Sequence, residues 1–376
     1  MELKIQTFLK KFGLEKAIKE FNLKTRDYGH KILLKYDQLS SPSIMAMPEV
    51  QECRGLVLET GTWRVMSMGF TKFFNSEEGN AHKIDWETAV ILEKLDGTMI
   101  QSYYDDHDKV WYAGTTGTAN GEGEVNNKMG TTFNQLFWNT IKEKYPTFRM
   151  DWLDKKVTYV FELTTPYNIV VKPHGESSIA LLTARDNVTL KEASRSELLE
   201  CGKALHLPVV KSYDLNTKNI GALLRTFETM SWSDEGYVIC DAKFNRVKVK
   251  NPAYVSVHHL KGKTAEHNIM TIVKTNEIEE FGATFPDRKE ELNTLKKNYD
   301  ALISKLKIVW GELQDYKPKN IMPSEKKKFA EAVFKICTEN DVKKFTGLYF
   351  MLHDGKVSSI EEYMLNVDDK TLYKML

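Results

Sequence analysis

The segment Val90-Ile-Leu-Glu-Lys-Leu-Asp-Gly-Thr-Met-Ile-Gln-Ser-Tyr-Tyr104 contains two apolar runs joined by Lys94-Leu-Asp-Gly97. The runs, Val90–Glu93 and Met99–Tyr104, have the β-branched and aromatic content of strands. We therefore predict that Lys94 lies on a tight turn between two strands and that Gly97 supplies an unusual backbone angle there. The tetrapeptide alone is weak evidence of function, because a surface lysine at a hairpin turn has the same pattern.

Strand-like runs dominate the chain from about residue 31 to residue 250. Each is a short β-branched or aromatic stretch, and Gly, Asn and Asp separate the stretches at turn positions. Helical periodicity is present over residues 2–22, near residues 131–144 and over residues 191–205. These patterns predict an α+β domain that is built mainly of antiparallel sheets with flanking helices.

The pattern changes after Pro252. Runs with a 3.6-residue period then follow over residues 290–313, 325–336, 346–352 and 358–376. We therefore predict two domains, residues 1–255 and residues 256–376, and the second is expected to be all-α. Its basic runs fit either an RNA-binding surface or an ordinary solvated helix face.

The composition is that of an ordinary globular protein. The 376 residues include 53 basic and 52 acidic side chains, so a nucleic-acid partner would need a local basic patch. The four cysteines are far apart and form no Cys-x-x-Cys pair, which argues against a zinc site and for reduced thiols. No apolar run approaches the roughly 20 residues that span a bilayer. We expect a soluble, cytoplasmic protein with no membrane contact, no signal peptide and no evident obligate protein partner.

Three further segments place charged side chains at strand ends. Tyr159-Val-Phe-Glu162 ends a strand on a carboxylate, and Asp234-Glu235-Gly236 begins one. Lys248 and Lys250 alternate with valines, so both project from one face of a strand, and an anionic ligand would relieve their repulsion. Each segment alone fits equally well with a surface acid, a simple turn or a solvated sheet face.

Taken in order, these four segments resemble the signature of the covalent nucleotidyl transferase superfamily, which contains the ATP-dependent ligases and the RNA capping enzymes. Two upstream segments narrow the resemblance. Glu52-Cys-Arg54-Gly55 and Lys72-Phe-Phe-Asn75 are similar to segments of the phage RNA ligase 1 family, the tRNA-repair RNA ligases of T-even phages. The resemblance covers about residues 30–255, and the helical region matches only in position and character.

The resemblance implies an ATP-dependent RNA ligase that joins 5′-phosphate and 3′-hydroxyl ends through a lysyl-AMP intermediate and an adenylylated RNA end. The implied cofactors are ATP and Mg²⁺, for which Mn²⁺ can substitute. The implied partners are RNA ends, with a cleaved tRNA anticodon loop as the candidate substrate, and the helical domain is a candidate for RNA or tRNA specificity. A phage origin would place the protein in the host cytoplasm.

The resemblance also assigns residue roles. Lys94 is the nucleophile that takes AMP, and lysine suits this role because it can lose its proton, which arginine cannot. A free lysine has a pKa of about 10.4, and neighbouring cations favour its neutral form. Glu162 is expected to accept the ribose hydroxyl. Asp96 is expected to orient the site near the nucleophile or a metal-bound water, and Glu235 and Asp96 are the candidate metal contacts.

The remaining roles concern phosphate. Lys248 is expected to contact the α-phosphate, and Lys250 the β- and γ-phosphates or the departing pyrophosphate. Arg54 and Lys72 are expected to bind phosphate or the ribose edge, and Phe74 is either packed beneath them or an ordinary core aromatic. Gly97 belongs with the nucleotide-binding residues because it lies in the nucleophile's own turn.

One departure from the family pattern concerns Tyr112-Ala-Gly-Thr-Thr-Gly-Thr118. Thr116 stands where the family commonly has a lysine, so either another cation fills that role or phosphate is handled differently. Three alternatives also remain. A DNA ligase or a capping guanylyltransferase shares the superfamily signature, although no β-barrel pattern follows Lys250. A catalytically dead RNA-binding relative would retain the fold alone.

Overall fold

The computed structural model describes residues 2–126, 129–168, 172, 174–215, 219–259, 265–284, 288–317 and 323–376. The chain divides into two compact units, Met1–His258 and His259–Leu376. The nucleotidyl transferase and RNA-specificity roles predicted for the two domains stay predictions. Within the described ranges, no helix has both the length and the apolar character needed to cross a membrane.

The first unit is α+β, as predicted. Its strands are β1 Leu23–Asp27, β2 Lys31–Tyr36, β3 Arg54–Glu59, β4 Val65–Ser67, β5 Phe74–Asn75, β6 Val90–Glu93, β7 Thr98–Asp105, β8 Val110–Gly114, β9 Val157–Thr164, β10 Ser178–Asp186, β11 Ser212–Tyr213, β12 Gly236–Cys240 and β13 Arg246–Lys250. Its helices are α1 Lys4–Phe12, α2 Leu14–Phe21, α3 Pro42–Met45, α4 Pro48–Glu52, α5 Phe133–Lys144, α6 Arg195–Leu205, α7 Ile220–Thr226 and α8 Pro252–His259, with 3₁₀ turns at Met150–Trp152 and Phe227–Thr229.

Three sheets form from these strands. The first has the order β1-β2-β3-β4, the second β10-β9-β7-β8, and the third β11-β6-β12-β13-β5. All pairings are antiparallel except the one between β13 and β5. The helical pattern over residues 2–22 forms two helices and not one, because Gly13 between them has a φ of +80°.

Each sheet buries one face in its own apolar cluster. The first sheet packs with α1 and α2, the second with α5 and α6, and the third with α7. Some of the helices begin at a side-chain cap. At α6, for example, the Ser194 hydroxyl accepts from the Glu197 amide while the Glu197 carboxylate accepts from the Ser194 amide.

A buried ion triad links the second sheet to the third. Arg185 on β10 pairs with Glu192 at 2.8 Å, and Arg246 on β13 pairs with the same carboxylate. Thr183 donates a further hydrogen bond to it at 2.7 Å. Because a buried charge that loses its partner is costly, this triad fixes the two sheets relative to each other.

The second unit is helical. Its elements are α9 Ala265–Thr275, α10 Ile278–Thr284, α11 Lys289–Leu313, α12 Pro323–Glu339, α13 Thr346–His353, α14 Ile360–Asn366 and α15 Asp369–Tyr373, with 3₁₀ turns at Gln314–Tyr316 and Lys343–Phe345. The predicted 3.6-residue periodicity is visible in the burial along α11, where Leu292, Tyr299, Leu306, Val309 and Leu313 are all buried in one core.

Candidate active site

Lys94 lies where the chain crosses from the third sheet to the second. The preceding strand, β6, pairs with β11 and β12, whereas the following strand, β7, pairs with β8 and β9. Lys94 lies between two strands, as predicted, but β6 and β7 are not hydrogen-bonded neighbours, so the segment joins two sheets and does not close a hairpin. The Lys94 amide donates to the Gly236 carbonyl at 2.9 Å, which extends the pairing of β6 with β12 by one residue. This bond holds the lysine at the junction of the two sheets.

Glycine is required at position 97 because a side chain would not fit there, and not because of the backbone conformation. Its φ is not in the positive region, so the predicted unusual backbone angle is wrong. A Cβ at this position would lie 2.5 Å from the Leu163 carbonyl oxygen and 3.1 Å from Cγ of Glu162. Glycine thus lets the Lys94 segment lie directly against β9, the strand that carries Glu162.

Glu235 holds two lysines on one carboxylate. Its Oε1 lies 2.6 Å from Nζ of Lys94 and 3.6 Å from Nζ of Lys250. Only 7% of Glu235 is exposed, so these charge-assisted contacts are poorly screened by solvent. The pairing of Gly236 with Lys250 across β12 and β13 brings the acid and the second lysine together.

Glu162 interacts electrostatically with four other charged residues of this site. Burial raises the pKa of its carboxyl to about 8; Lys94 and Arg54 oppose the shift, while Glu235 and Asp96 add to it. Five of the residues predicted from the sequence therefore interact electrostatically within one site. A carboxyl group with this pKa is mostly protonated at pH 7, so it can donate as well as accept a hydrogen bond.

The raised pKa of Glu162 predicts how the stability of the folded protein depends on pH. Its ordinary value is 4.5, so between pH 4.5 and about 8 the folded protein keeps a proton that the unfolded chain releases. Unfolding is then favoured progressively as the pH rises through this window. We expect Glu162→Gln to abolish this loss, so that the melting temperature of the variant relative to the unaltered protein rises from pH 5 to pH 8.

The measurement is thermal unfolding at several pH values without nucleotide or metal. Glu143→Gln, at an exposed position on α5, is the matched control and should follow the unaltered protein at every pH. Parallel curves for Glu162→Gln and the unaltered protein would contradict the assignment.

Asp96 is buried and is held by residues that the sequence analysis did not identify. It is 6% exposed, and its Oδ2 accepts the backbone amide of Lys172 at 2.6 Å. His174 donates from Nε2 to the Asp96 carbonyl at 2.8 Å, and Nζ of Lys172 lies 3.5 Å from Oδ1 of Asp234. Lys172 and His174 lie in the connection between β9 and β10, where no local sequence signal pointed to the site.

Arg54 and Lys72 lie on aromatic rings. The Arg54 guanidinium is 4.9 Å from the centre of the Phe73 ring, and its Nη1 is buried without a hydrogen-bond partner. Nζ of Lys72 lies 4.8 Å from the Tyr36 ring and 4.9 Å from the Phe74 ring. Such contacts support a cation while leaving its hydrogen-bond donors available. Phe74 therefore lies beneath Lys72, as the sequence suggested, whereas Phe73 was missed.

Lys248 and Lys250 project from one face of β13. Val247 and Val249 are buried on the other face, and both lysines are half-buried. Lys248 is paired with Asn75 on β5, so the segment after Phe74 lies beside it. The alternation predicted from the sequence is present in the structure, and it directs two cations to the same side of the third sheet.

The carboxylates suit a hard cation. Glu235 and Asp96 supply oxygen atoms, the ligand type that Mg²⁺ takes, and a nucleotide would add phosphate oxygens. Elsewhere in the described ranges, two groups of carboxylates and histidines have their possible ligand atoms close together. They are His30 with Asp105 and Asp108, and Glu59 with Asp106 and His107. Neither contains a residue of the Lys94 site, and Lys31 already pairs with Asp105 at 2.5 Å.

Comparison with known proteins relates the chain to RNA ligases. The RNA ligase family model matches residues 52–254, which is more than half of the chain and includes every predicted site residue. An RNA ligase of Rhodothermus phage RM378 is 28% identical over 328 residues, which cover 73% of this chain and 74% of that protein. The structural alignment with a solved archaeal ATP-dependent RNA ligase covers 90% of this chain and 81% of that protein's chain, with 12% identity and a TM-score of 0.43. The chain belongs to the RNA ligase family.

Proposed function

We propose that the protein is an ATP-dependent RNA ligase that works through a lysyl-AMP intermediate at Lys94. The observation that carries the proposal is the contact of Lys94 with Glu235, which also holds Lys250, at the junction of two sheets. A triphosphate bound beside Lys94 needs counter-charges, and Lys248 and Lys250 supply them from one face of β13.

The proposed reaction has three steps. The amine of Lys94 loses a proton and attacks the α-phosphorus of ATP, so that an N–P bond forms, the bond to the β-phosphate oxygen breaks and pyrophosphate leaves. The 5′-phosphate of an RNA end then displaces the lysine and takes AMP. A 3′-hydroxyl finally attacks that activated phosphorus, loses its proton and releases AMP, which leaves a phosphodiester bond.

The chain's own residues bind and orient these groups. Glu162 accepts the ribose hydroxyl, and Lys248 holds the α-phosphate in line with Lys94. Lys250 contacts the departing pyrophosphate, while Arg54 and Lys72 bind phosphate or the ribose edge from the first sheet and the segment after it. Glu235 and Asp96 would hold a divalent cation, Mg²⁺ or Mn²⁺, which would neutralise charge on the phosphates.

The proposed substrates are RNA ends in tRNA repair, with a cleaved anticodon loop as the specific candidate, and the proposed site of action is the cytoplasm. The supporting observations are the family membership and the RNA ligase of a phage among its relatives. The helical unit is proposed to contribute RNA specificity.

The direct test is incubation with ATP labelled at the α-phosphate, with Mg²⁺ and a 5′-phosphorylated RNA. We expect a covalent protein–AMP adduct and a sealed RNA product. Parallel reactions with labelled GTP and with nicked DNA distinguish a capping guanylyltransferase and a DNA ligase. No adduct with either nucleotide, across metals and pH values, would contradict the proposal and indicate a dead relative.

A further inference from the structure

Lys35 lies directly across from Arg54 in the first sheet. The pairing of β2 with β3 places the two residues opposite each other, next to a register shift between Leu34 and Lys35. Side chains of opposed residues on neighbouring strands share one face, with Cβ atoms about 4.5–5.5 Å apart. Two cationic side chains on one face of neighbouring strands repel each other when their charged ends approach, and an anion bound between those ends relieves the repulsion.

The two lysines on this face of β2 have different surroundings. Lys31, four residues before Lys35, is fully buried and pairs with Asp105 at 2.5 Å, so its charge is balanced. Lys35 is half-buried, and its ammonium has no ion pair or hydrogen bond within the part of the chain that the structure describes. A half-buried lysine without an acidic partner is a candidate for binding an anion from outside the chain.

Arg54 supplies a second, independent observation. Its Nη1 is buried and lacks an acceptor, although a guanidinium has five N–H donors to satisfy. Glu162 interacts electrostatically with Arg54, and burial raises the pKa of that carboxyl to about 8.

The ammonium of Lys35 also reaches the turn at residues 115–118. It lies 3.9 Å from where a Cβ on Gly117 would be, and a Cβ on Gly55 would lie 2.7 Å from Cα of Thr116. The turn is uncharged, and the Thr115 hydroxyl accepts the amides of Gly117 and Thr118. The turn thus packs against β3 beside Arg54, and Lys35 provides the positive charge at a place where Thr116 provides none.

We propose that Lys35, together with Arg54, binds the β- and γ-phosphates of ATP during transfer of AMP to Lys94. The inference rests on the proposed function, because it names a further contact for the nucleotide of that reaction. The α-phosphate has to lie at Lys94, which contacts Glu235 on the third sheet. Lys35 and Arg54 belong to the first sheet, and we place them, together with Lys250, on the part of the triphosphate that leaves as pyrophosphate.

The test compares two steps of the reaction in Lys35→Ala. Formation of the protein–AMP adduct from labelled ATP should show an apparent KM for ATP raised by about 10-fold or more, the loss expected for one charge-assisted contact. The pyrophosphate concentration needed to regenerate ATP from the adduct should rise in parallel. Sealing of chemically pre-adenylylated RNA should be unchanged, because that step uses no triphosphate.

Two companion variants separate charge from structure. Lys35→Arg keeps the cation and should retain most of the affinity for ATP, and Lys19→Ala, at an exposed position on α2, should behave like the unaltered protein. The inference is overturned if Lys35→Ala keeps the normal KM, if Lys35→Arg is as impaired as Lys35→Ala, or if sealing of pre-adenylylated RNA falls equally. An unaltered protein that forms no adduct would instead contradict the proposed function itself.

Discussion

Replacing Lys94 by alanine is expected to reduce formation of the protein–AMP adduct by on the order of 10⁴-fold or more, which is effectively complete loss. The nitrogen of Lys94 is the protein atom that bonds to the nucleotide in the proposed mechanism, so its removal leaves AMP without an acceptor on the protein. Lys94→Arg is expected to fail as completely, because a guanidinium stays protonated at any pH the protein tolerates. It would still pair with Glu235, so its failure would separate nucleophilicity from charge.

Labelled ATP and gel electrophoresis measure this effect. Lys203→Ala, at an exposed position on α6, is the control and should form a normal adduct. Sealing of pre-adenylylated RNA should survive in Lys94→Ala far better than adduct formation, since the activated end bypasses the nucleophile. An adduct that persists in Lys94→Ala would show that AMP is attached elsewhere.

Replacing Gly236 by alanine is expected to lower the free energy of unfolding by about 3 kcal/mol or more. Gly236 has a φ of +130°, and a Cβ there would lie 2.2 Å from the Val249 carbonyl oxygen and 2.9 Å from Cα of Lys250. To relieve this overlap, β12 must move away from β13. Because Glu235 precedes this glycine and Lys250 is its partner in the pairing, the same movement pulls the acid from its lysines.

Chemical denaturation of Gly236→Ala measures this loss, and adduct formation reports the accompanying damage to the site. Gly61→Ala is a matched control, since Gly61 also has a positive φ, +87°, but has no atom within 4 Å of a new Cβ. It should lose only about 1 kcal/mol, from the backbone conformation alone. Equal losses in the two variants would mean that contact with β13 is not what requires glycine at position 236.

The strand positions of the site residues were predictable because period-2 alternation is a local property. The alternation of Lys248 and Lys250 with buried valines needs only five residues to be recognised, and the structure shows it. Consecutive strands usually pair, so a turn between β6 and β7 was the natural expectation for Lys94. The structure instead puts the two strands in different sheets, a choice that depends on β12, some 140 residues later.

Contacts across long sequence distances could not be predicted from local patterns. The opposition of Lys35 and Arg54 depends on a register shift between two strands, and the hydrogen bond from Lys172 to Asp96 depends on the path of a connection without periodicity. Gly97 shows the same limit, because the atom that excludes a side chain there belongs to Leu163 on another strand.

The pairing of β6 with β12 also determines when a newly synthesised chain can form the complete Lys94 site. About 156 residues separate Lys94 from Lys250, and ribosomes add roughly 5–20 residues per second. The nucleophile is therefore synthesised roughly 10–30 s before its last cationic neighbour, and during that time β6 also lacks the central strand of its sheet. If the proposed adenylyl transfer needs Lys250, a nascent chain gains that activity late, when synthesis of the first unit is nearly complete.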